Sequence, residues 1–233
     1  MRVAVITPYY KESVDALWQC HTSVLQQTHK CVHVMVADGF PQNVISNWNV
    51  EHVVLPRAHD DIGSTPRLIG CYHAIGLGCN AVAFLDADNC YAVDHIQNLV
   101  DLYAQTSADF LSSNRYLCRM DLSIMGNCPF TDPEKFIDTN CMMFTIGGFS
   151  VLHYWTLMPH YAHLIGDRVM LYYIKQSRLT TAHNNKPTVY YRCNKEGNYR
   201  YFNEPLPCGV APRPNYEDSH NKWVAEGNPP LLL

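Results

Sequence analysis

The apolar run Ala81-Val82-Ala83-Phe84-Leu85 stops abruptly at Asp86-Ala87-Asp88-Asn89-Cys90, and this stretch constrains the fold more tightly than any other. So short an apolar run, closed by turn-forming residues, reads as a buried strand whose carboxyl end opens into a loop. That edge is where open α/β sheets bind their ligands. Alternation along a strand sends Asp86 and Asp88 to the same side, so both can face one cation. Magnesium and manganese are usually held by one or two carboxylates, with substrate phosphates completing the shell. The pattern therefore points to a cation and diphosphate site. Asp and Asn also end strands with no ligand in view, so the weight of this reading rests on the rest of the chain.

The flanking segments supply a matching frame. Val3 to Ile6 is a β-rich run closed by Thr7-Pro8, which predicts a central strand leaving the sheet. A helix follows, capped by Ser13, with Val14, Leu17, Trp18, His21, Val24 and Leu25 at helical spacing as its core stripe. His21 on that stripe reads as a core histidine. A second strand, Val32 to Ala37, ends at Asp38-Gly39, and a short strand covers His52 to Leu55. Ser64-Thr65-Pro66 announces a helix closed by Gly78, with Leu68, Tyr72 and Ile75 inward. After the Asp86 strand come a helix marked by Val93, Ile96, Val100 and Tyr103 and a strand at Asp109 to Ser112. This alternation predicts an α/β fold with a largely parallel sheet.

Beyond residue 113 the pattern loosens. A strand is expected over Thr139 to Ile146, an aromatic patch around Trp155, and a helix from Arg168 to Lys175. From Lys186 onward the Pro, Asn and Tyr content predicts loops packed over the core. The expectation is one domain with two halves, a nucleotide-binding half (1–112) and an acceptor-binding half with C-terminal loops (113–233).

Composition excludes several classes. At 233 residues with 47% hydrophobic and 16% charged residues the chain can bury a sizeable core and is not disordered. A net charge of -4 without a basic run gives no ground for nucleic-acid binding. The 10 cysteines lack Cys-x-x-Cys spacing and sit mostly in apolar runs, as small buried hydrophobes of a reducing compartment do. The first apolar run reaches Pro8 too early for a signal-peptide core, and none is long enough to span a bilayer. The expected location is cytoplasmic, with at most peripheral membrane contact. The tail Leu231-Leu232-Leu233 reads as a frayed end or a surface contact.

Taken in order, these segments resemble the GT-A glycosyltransferases of family 2, inverting enzymes that use nucleotide sugars. Thr7-Pro8-Tyr9-Tyr10-Lys11-Glu12 is similar to the family's Pro-x-Tyr-Asn-Glu, with Lys11 for Asn. Ser23 to Thr28 looks like its helix-ending Ser-x-Leu-x-Gln-Thr. Val36-Ala37-Asp38-Gly39-Phe40 stands where the family has Val-Asp-Asp-Gly-Ser. Thr65 to Gly70 looks like Ala-Arg-Asn-x-Gly, and Phe84 to Asn89 is close to Phe-Leu-Asp-x-Asp-Asp. The resemblance implies a Rossmann-like, mostly parallel sheet flanked by helices. It also implies a nucleotide site made of Pro8, Tyr10, Glu12, Asp38, Arg67 and Asp86, with Tyr10 and Asp38 at the base and Arg67 near base or phosphates. Asp86 and Asp88 would hold Mn2+ or Mg2+, with His183 a candidate third ligand because imidazole suits manganese. Tyr190, Tyr191 and Arg192 are alternative diphosphate contacts.

Single displacement at an anomeric carbon needs a base for the acceptor hydroxyl and an electrophile for the leaving diphosphate. Leu164 to Arg168 looks like the family's Gly-Glu-Asp region, which implies Asp167 as the base, although Asp167 would serve equally as a helix cap. Asp138 is the competitor. The implied reaction moves a sugar, from a UDP-sugar before other donors, to a carbohydrate, lipid-linked or other hydroxyl acceptor. Two alternatives stand beside it: a catalytically silent nucleotide-sugar-binding protein, and a phosphatase of the haloacid-dehalogenase type, whose nucleophile motif also begins with Asp-x-Asp after a strand.

Overall fold

The computed structural model describes residues 1–231. Its elements are β1 (Val3–Tyr9), α1 (Val14–Leu25), β2 (Cys31–Asp38), β3 (Glu51–Leu55), α2 (Ser64–Gly76), β4 (Ala81–Phe84), β5 (Cys90–Tyr91) and α3 (His95–Thr106). There follow β6 (Phe110–Cys118), β7 (Ile124–Asn127), β8 (Met142–Thr145), α4 (Tyr154–Leu157), α5 (Gly166–Gln176), β9 (Thr181–Arg192), α6 (Glu196–Tyr201) and α7 (Tyr216–Ala225). One nine-stranded sheet runs in the order β3-β2-β1-β4-β8-β6-β9-β5, with β7 paired to β6. Strands β3, β2, β1 and β4 are parallel. β8 is antiparallel to both of its neighbours, and β9 returns to run parallel with β6.

Every residue of β1 is buried, as expected of a parallel strand covered on both faces. The alternation of β2 shows how the two layers share it. Val34 and Val36 face α2, where a Cβ on Gly70 would stand 3.0 Å from Val36 Cγ2 and 2.5 Å from Ile6 Cγ2. Only a residue without a side chain lets α2 lie this close to the sheet. On the opposite face His33 meets α1, its Nδ1 2.8 Å from His21 Nδ1. His21 is thus a core histidine, stacked between His33 and Trp48, but its Nε2 has no partner.

The helical stripes are narrower than the apolar spacing suggests. In α1 the buried side is Leu17, Cys20, His21 and Val24, whereas Val14, Trp18 and Leu25 are exposed. In α2 Leu68, Cys71 and Ala74 turn inward and Tyr72 outward, and Val93 is an exposed residue ahead of α3. Apolar residues around a helix outnumber those its contact arc can hold.

The second half departs further. Thr139–Cys141 is a 3-10 turn capped by Asp138, so the strand expected from Thr139 shortens to β8. The loops expected from Lys186 are wrong in part: β9 continues to Arg192, wedged between β6 and β5. Its Pro187 falls at a register shift in the β6 pairing, where a missing N–H is tolerated. β6 also runs past residue 112, so the two expected halves share a strand. Leu231 packs on the core, while Leu232 and Leu233 of the expected tail contact lie outside the described residues. Among the described residues no helix is long and apolar enough to cross a membrane.

Candidate active site

The chain order reverses at β1: it proceeds outward through β2 and β3, then returns to place β4 on the other side of β1. A cavity of about 630 Å³ opens at the carboxyl ends of these strands. Pro8, Tyr10 and Glu12 enter it from β1, Asp38 from β2, Asp86 and Asp88 from β4, and Arg67 from α2. All seven were assigned to the site from sequence. The loop from Ala58 to Gly63 completes the wall. It is held there by Gly39, whose φ of +80° and lack of a side chain let β2 turn against it: a Cβ would sit 2.3 Å from Ala58 N.

Arg67 is the hinge of this wall. Its Nη2 donates to Asp86 Oδ1 at 2.6 Å and its Nη1 to Ile62 O at 3.2 Å, and the guanidinium lies 5.0 Å from the centre of the buried Trp155 ring. Asn140, which sequence reasoning missed, fixes Asp86 from the other side. Its Nδ2 donates to Asp86 Oδ2 (2.9 Å), and Asp86 N donates to its Oδ1 (2.6 Å). An Asn beside an Asp-Thr turn carries no signal in sequence.

Asp88 has a different environment. Burial first, then the neighbouring carboxylates of Asp86 and Glu12, push its pKa up to about 7. Negative charge gathered in one corner of a cavity suits a divalent cation. Among the described residues, however, no group of three or more His, Cys, Asp or Glu side chains forms a cage. The donor set therefore fits a cation held by one or two carboxylates and completed by substrate phosphates. His183 is not part of the cavity lining; it sits in β9, bonded to Ser112 Oγ (2.8 Å) and Asn114 Oδ1 (3.1 Å).

At the mouth, Tyr10 and Phe40 meet edge to face at 4.7 Å, with Lys11 Nζ above both rings. Glu12 Oε2 accepts from Tyr10 N (2.6 Å) and fixes the turn. Asp38 has both oxygens engaged by His59, through Nδ1 at 2.6 Å and the backbone N–H at 3.2 Å.

Asp167 lies in the first turn of α5, but Ile165 is the N-cap. Its Oδ1 accepts from Arg168 N at 2.8 Å, and burial raises its pKa. The link to the cavity runs through Trp155: a Cβ on Gly166 would lie 3.7 Å from that ring, whose face carries Arg67. Asp138 is committed elsewhere, paired with buried Arg115 and bonded to Asn140 Nδ2 (2.8 Å). Tyr191 covers Arg115, Tyr190 stacks on Tyr116, and Arg192 N donates to Asn89 Oδ1 (2.8 Å) beside the Asp88 loop.

An open α/β sheet with carboxylates and a buried arginine at its switch point defines a nucleotide- or phosphate-binding α/β protein. The family described as glycosyl transferase family 2 matches residues 4–156, and the chain belongs to it. The fold agrees. The structure of TarS residues 1–349 from S. aureus in complex with UDP superposes with a TM-score of 0.63 at 13% identity, covering 82% of this chain and 60% of that one. The same fragment with UDP-GlcNAc gives 0.58 at 11% identity, over 82% and 58% of the two chains. TarS itself gives 0.63 at 14% identity, over 86% of this chain and 38% of that chain. The chain thus spans less than two thirds of the length of these structures. A comparison with curated protein sequences gives no match. The dehalogenase alternative falls with the family assignment, and the Asp-x-Asp strand is the fourth of the chain, not its first.

Proposed function

We propose that the protein transfers a sugar, with inversion, from a uridine diphosphate sugar to a hydroxyl acceptor. The observation that carries this is the cavity, which combines the carboxylates of Glu12, Asp86 and Asp88 with the Arg67 guanidinium. Support for uridine comes from the fold's likeness to TarS, solved with UDP and with UDP-GlcNAc. In this reading Asp88, with Asp86, would hold Mn2+ or Mg2+ against the donor diphosphate, and the cation would neutralise charge on the leaving group. Arg67 orients Asp86 and closes the diphosphate side. Tyr10 offers an aromatic face to the base, and Asp38 anchors His59 and with it the loop that walls the nucleoside.

Asp167 is the base of this proposal. Its raised pKa makes the carboxylate a better proton acceptor, and its neighbour Gly166 packs against Trp155, whose ring face carries Arg67 of the cavity wall. The acceptor hydroxyl then binds over the 113–233 side of the sheet. The test is incubation with a panel of nucleotide sugars in Mn2+, reading UDP release and product anomer by NMR. Release of UDP from a UDP-sugar with inverted product supports the reading. Binding of UDP without turnover of any donor or acceptor would leave the silent binding protein.

A further inference from the structure

Asn140 belongs to the second half of the chain, yet its side chain ends on a carboxylate of the first. It is 1% exposed. Its amide makes three hydrogen bonds: Nδ2 donates to Asp86 Oδ2 at 2.9 Å and to Asp138 Oδ1 at 2.8 Å, and Oδ1 accepts from Asp86 N at 2.6 Å. The amide can point only one way, because a flip would set its carbonyl oxygen against two carboxylates. None of these bonds is needed by the turn that carries it. Asp138 caps that turn through the backbone N–H of Asn140 (3.0 Å), which any residue except proline supplies. Asn140 does not line the cavity, so it reaches a ligand only through Asp86. Behind it, the closed pair of Arg115 and Asp138 holds the amide in place.

Asp86 is thus gripped on both oxygens, by Arg67 Nη2 on Oδ1 (2.6 Å) and by Asn140 Nδ2 on Oδ2, while 32% of its side chain stays open toward the cavity. Donors on different oxygens fix the plane of a carboxylate as well as its position. The two grips differ in charge. Arg67 compensates the carboxylate, whereas an amide donates twice and accepts once without adding positive charge. A lysine in this place would cancel part of the negative potential that a cation beside Asp88 needs. We infer that Asn140 is a positioning residue for the donor, presetting the plane of Asp86 while leaving the corner negative, a role that rests on the uridine-donor reading above. The nucleoside diphosphate and its cation then meet a carboxylate with no rotamer freedom left to lose, which favours binding before any bond is broken.

The test compares the parent with Asn140→Ala, which removes all three bonds, and with Asn140→Asp, which keeps the volume and the acceptor for Asp86 N but removes the two donations. UDP is titrated in Mn2+ by calorimetry, well below the thermal midpoint of each protein so that only folded chain is read. Both variants should bind UDP about 10-fold more weakly. The donor KM should rise by a similar factor while kcat falls much less, as expected when an interaction shared by ground and transition states is lost. If Asn140 is scaffold only, the midpoint falls and folded variants bind UDP as the parent does, which overturns the assignment. A fall in kcat at unchanged KM overturns it too, because Asn140 would then act in the chemical step. Should Asn140→Ala fail to fold, Asn140→Asp carries the same comparison. A parent that binds no UDP sinks the uridine reading and this role together; a parent that binds UDP beside variants that bind it equally sinks this role alone.

Discussion

Two arginine–aspartate pairs stand at the carboxyl edge of the sheet, one from each half of the chain and bridged by Asn140 Nδ2, which donates to both carboxylates, and they are built for different purposes. Arg115 and Asp138, on the second side, are both buried, with side chains 7% and 11% exposed. Tyr191 and Phe136 cover the guanidinium, and Asp138 also caps the turn that carries Asn140. Arg67 and Asp86, in the first half, pair an equally buried arginine with a carboxylate that is 32% exposed and faces the cavity. The first pair is closed and structural. The second is open on one side, so a ligand can compete for it. The same chemistry becomes scaffold or site according to whether one partner keeps access to the cavity.

The sharpest test of this division is Asp167, which lies among the buried charges of the second side but is assigned to chemistry. Asp167→Asn keeps a hydrogen-bond acceptor for Arg168 N and cannot take a proton. Turnover should fall about 10²–10⁴-fold while UDP affinity and thermal midpoint stay near the parent's. A variant that turns over at the parent rate would return Asp167 to the scaffold.

Next in size is the closed pair. Asp138→Ala strands the Arg115 charge and should lower stability by about 3–5 kcal/mol, read as a shift in denaturant midpoint. Asp86→Ala should cost much less stability, because solvent and the cavity reach its carboxylate, but it should weaken binding of UDP. Equal destabilisation by the two substitutions would erase the distinction drawn here.

Asp88→Asn should reduce kcat/KM roughly 10²-fold and flatten its dependence on Mn2+ concentration, because the charge that opposes the diphosphate is then poorly held. Manganese dependence unchanged from the parent would place the cation elsewhere.

The smallest effect is common to both sides. Burial holds His33, under α1, and His95, against β9, down to about 3 in the folded state, His21 adding to the shift at His33. Unfolded histidine titrates near 6.5, so between about 6.5 and 3 the unfolded chain binds protons that the folded chain refuses. Their contribution is complete above about pH 6.5 and is lost as pH falls. At pH 5.5 each should cost about 1 kcal/mol relative to pH 7.5. His95→Asn and His33→Asn should each remove part of that slope in chemical denaturation; a slope that neither changes would assign the acid sensitivity to carboxylates.

The regular half was legible because its signals are local. Each strand and helix there is marked by neighbours in sequence, and an Asp that ends a parallel strand must emerge at the ligand edge, which brought Asp38, Asp86 and Asp88 to one cavity. β9 was only partly legible because its Asn, Lys and Pro content argues against a strand, and pairing with β6 and β5 on both sides overrides that preference. The pairing partners lie dozens of residues away, and no local pattern encodes them.

By itself the sequence determined the fold class, the family and the identity of the carboxylates at the strand ends, since periodicity and strand termini are properties of short segments. The tertiary structure alone decided which charges are free to act. It joined Arg67 to Asp86, closed Arg115 on Asp138, placed His183 inside β9 and His59 on Asp38, and left one oxygen of Asp61 without a partner. Hydrogen-bond satisfaction depends on which atoms meet across the fold, and that is settled by packing, after the segments have formed.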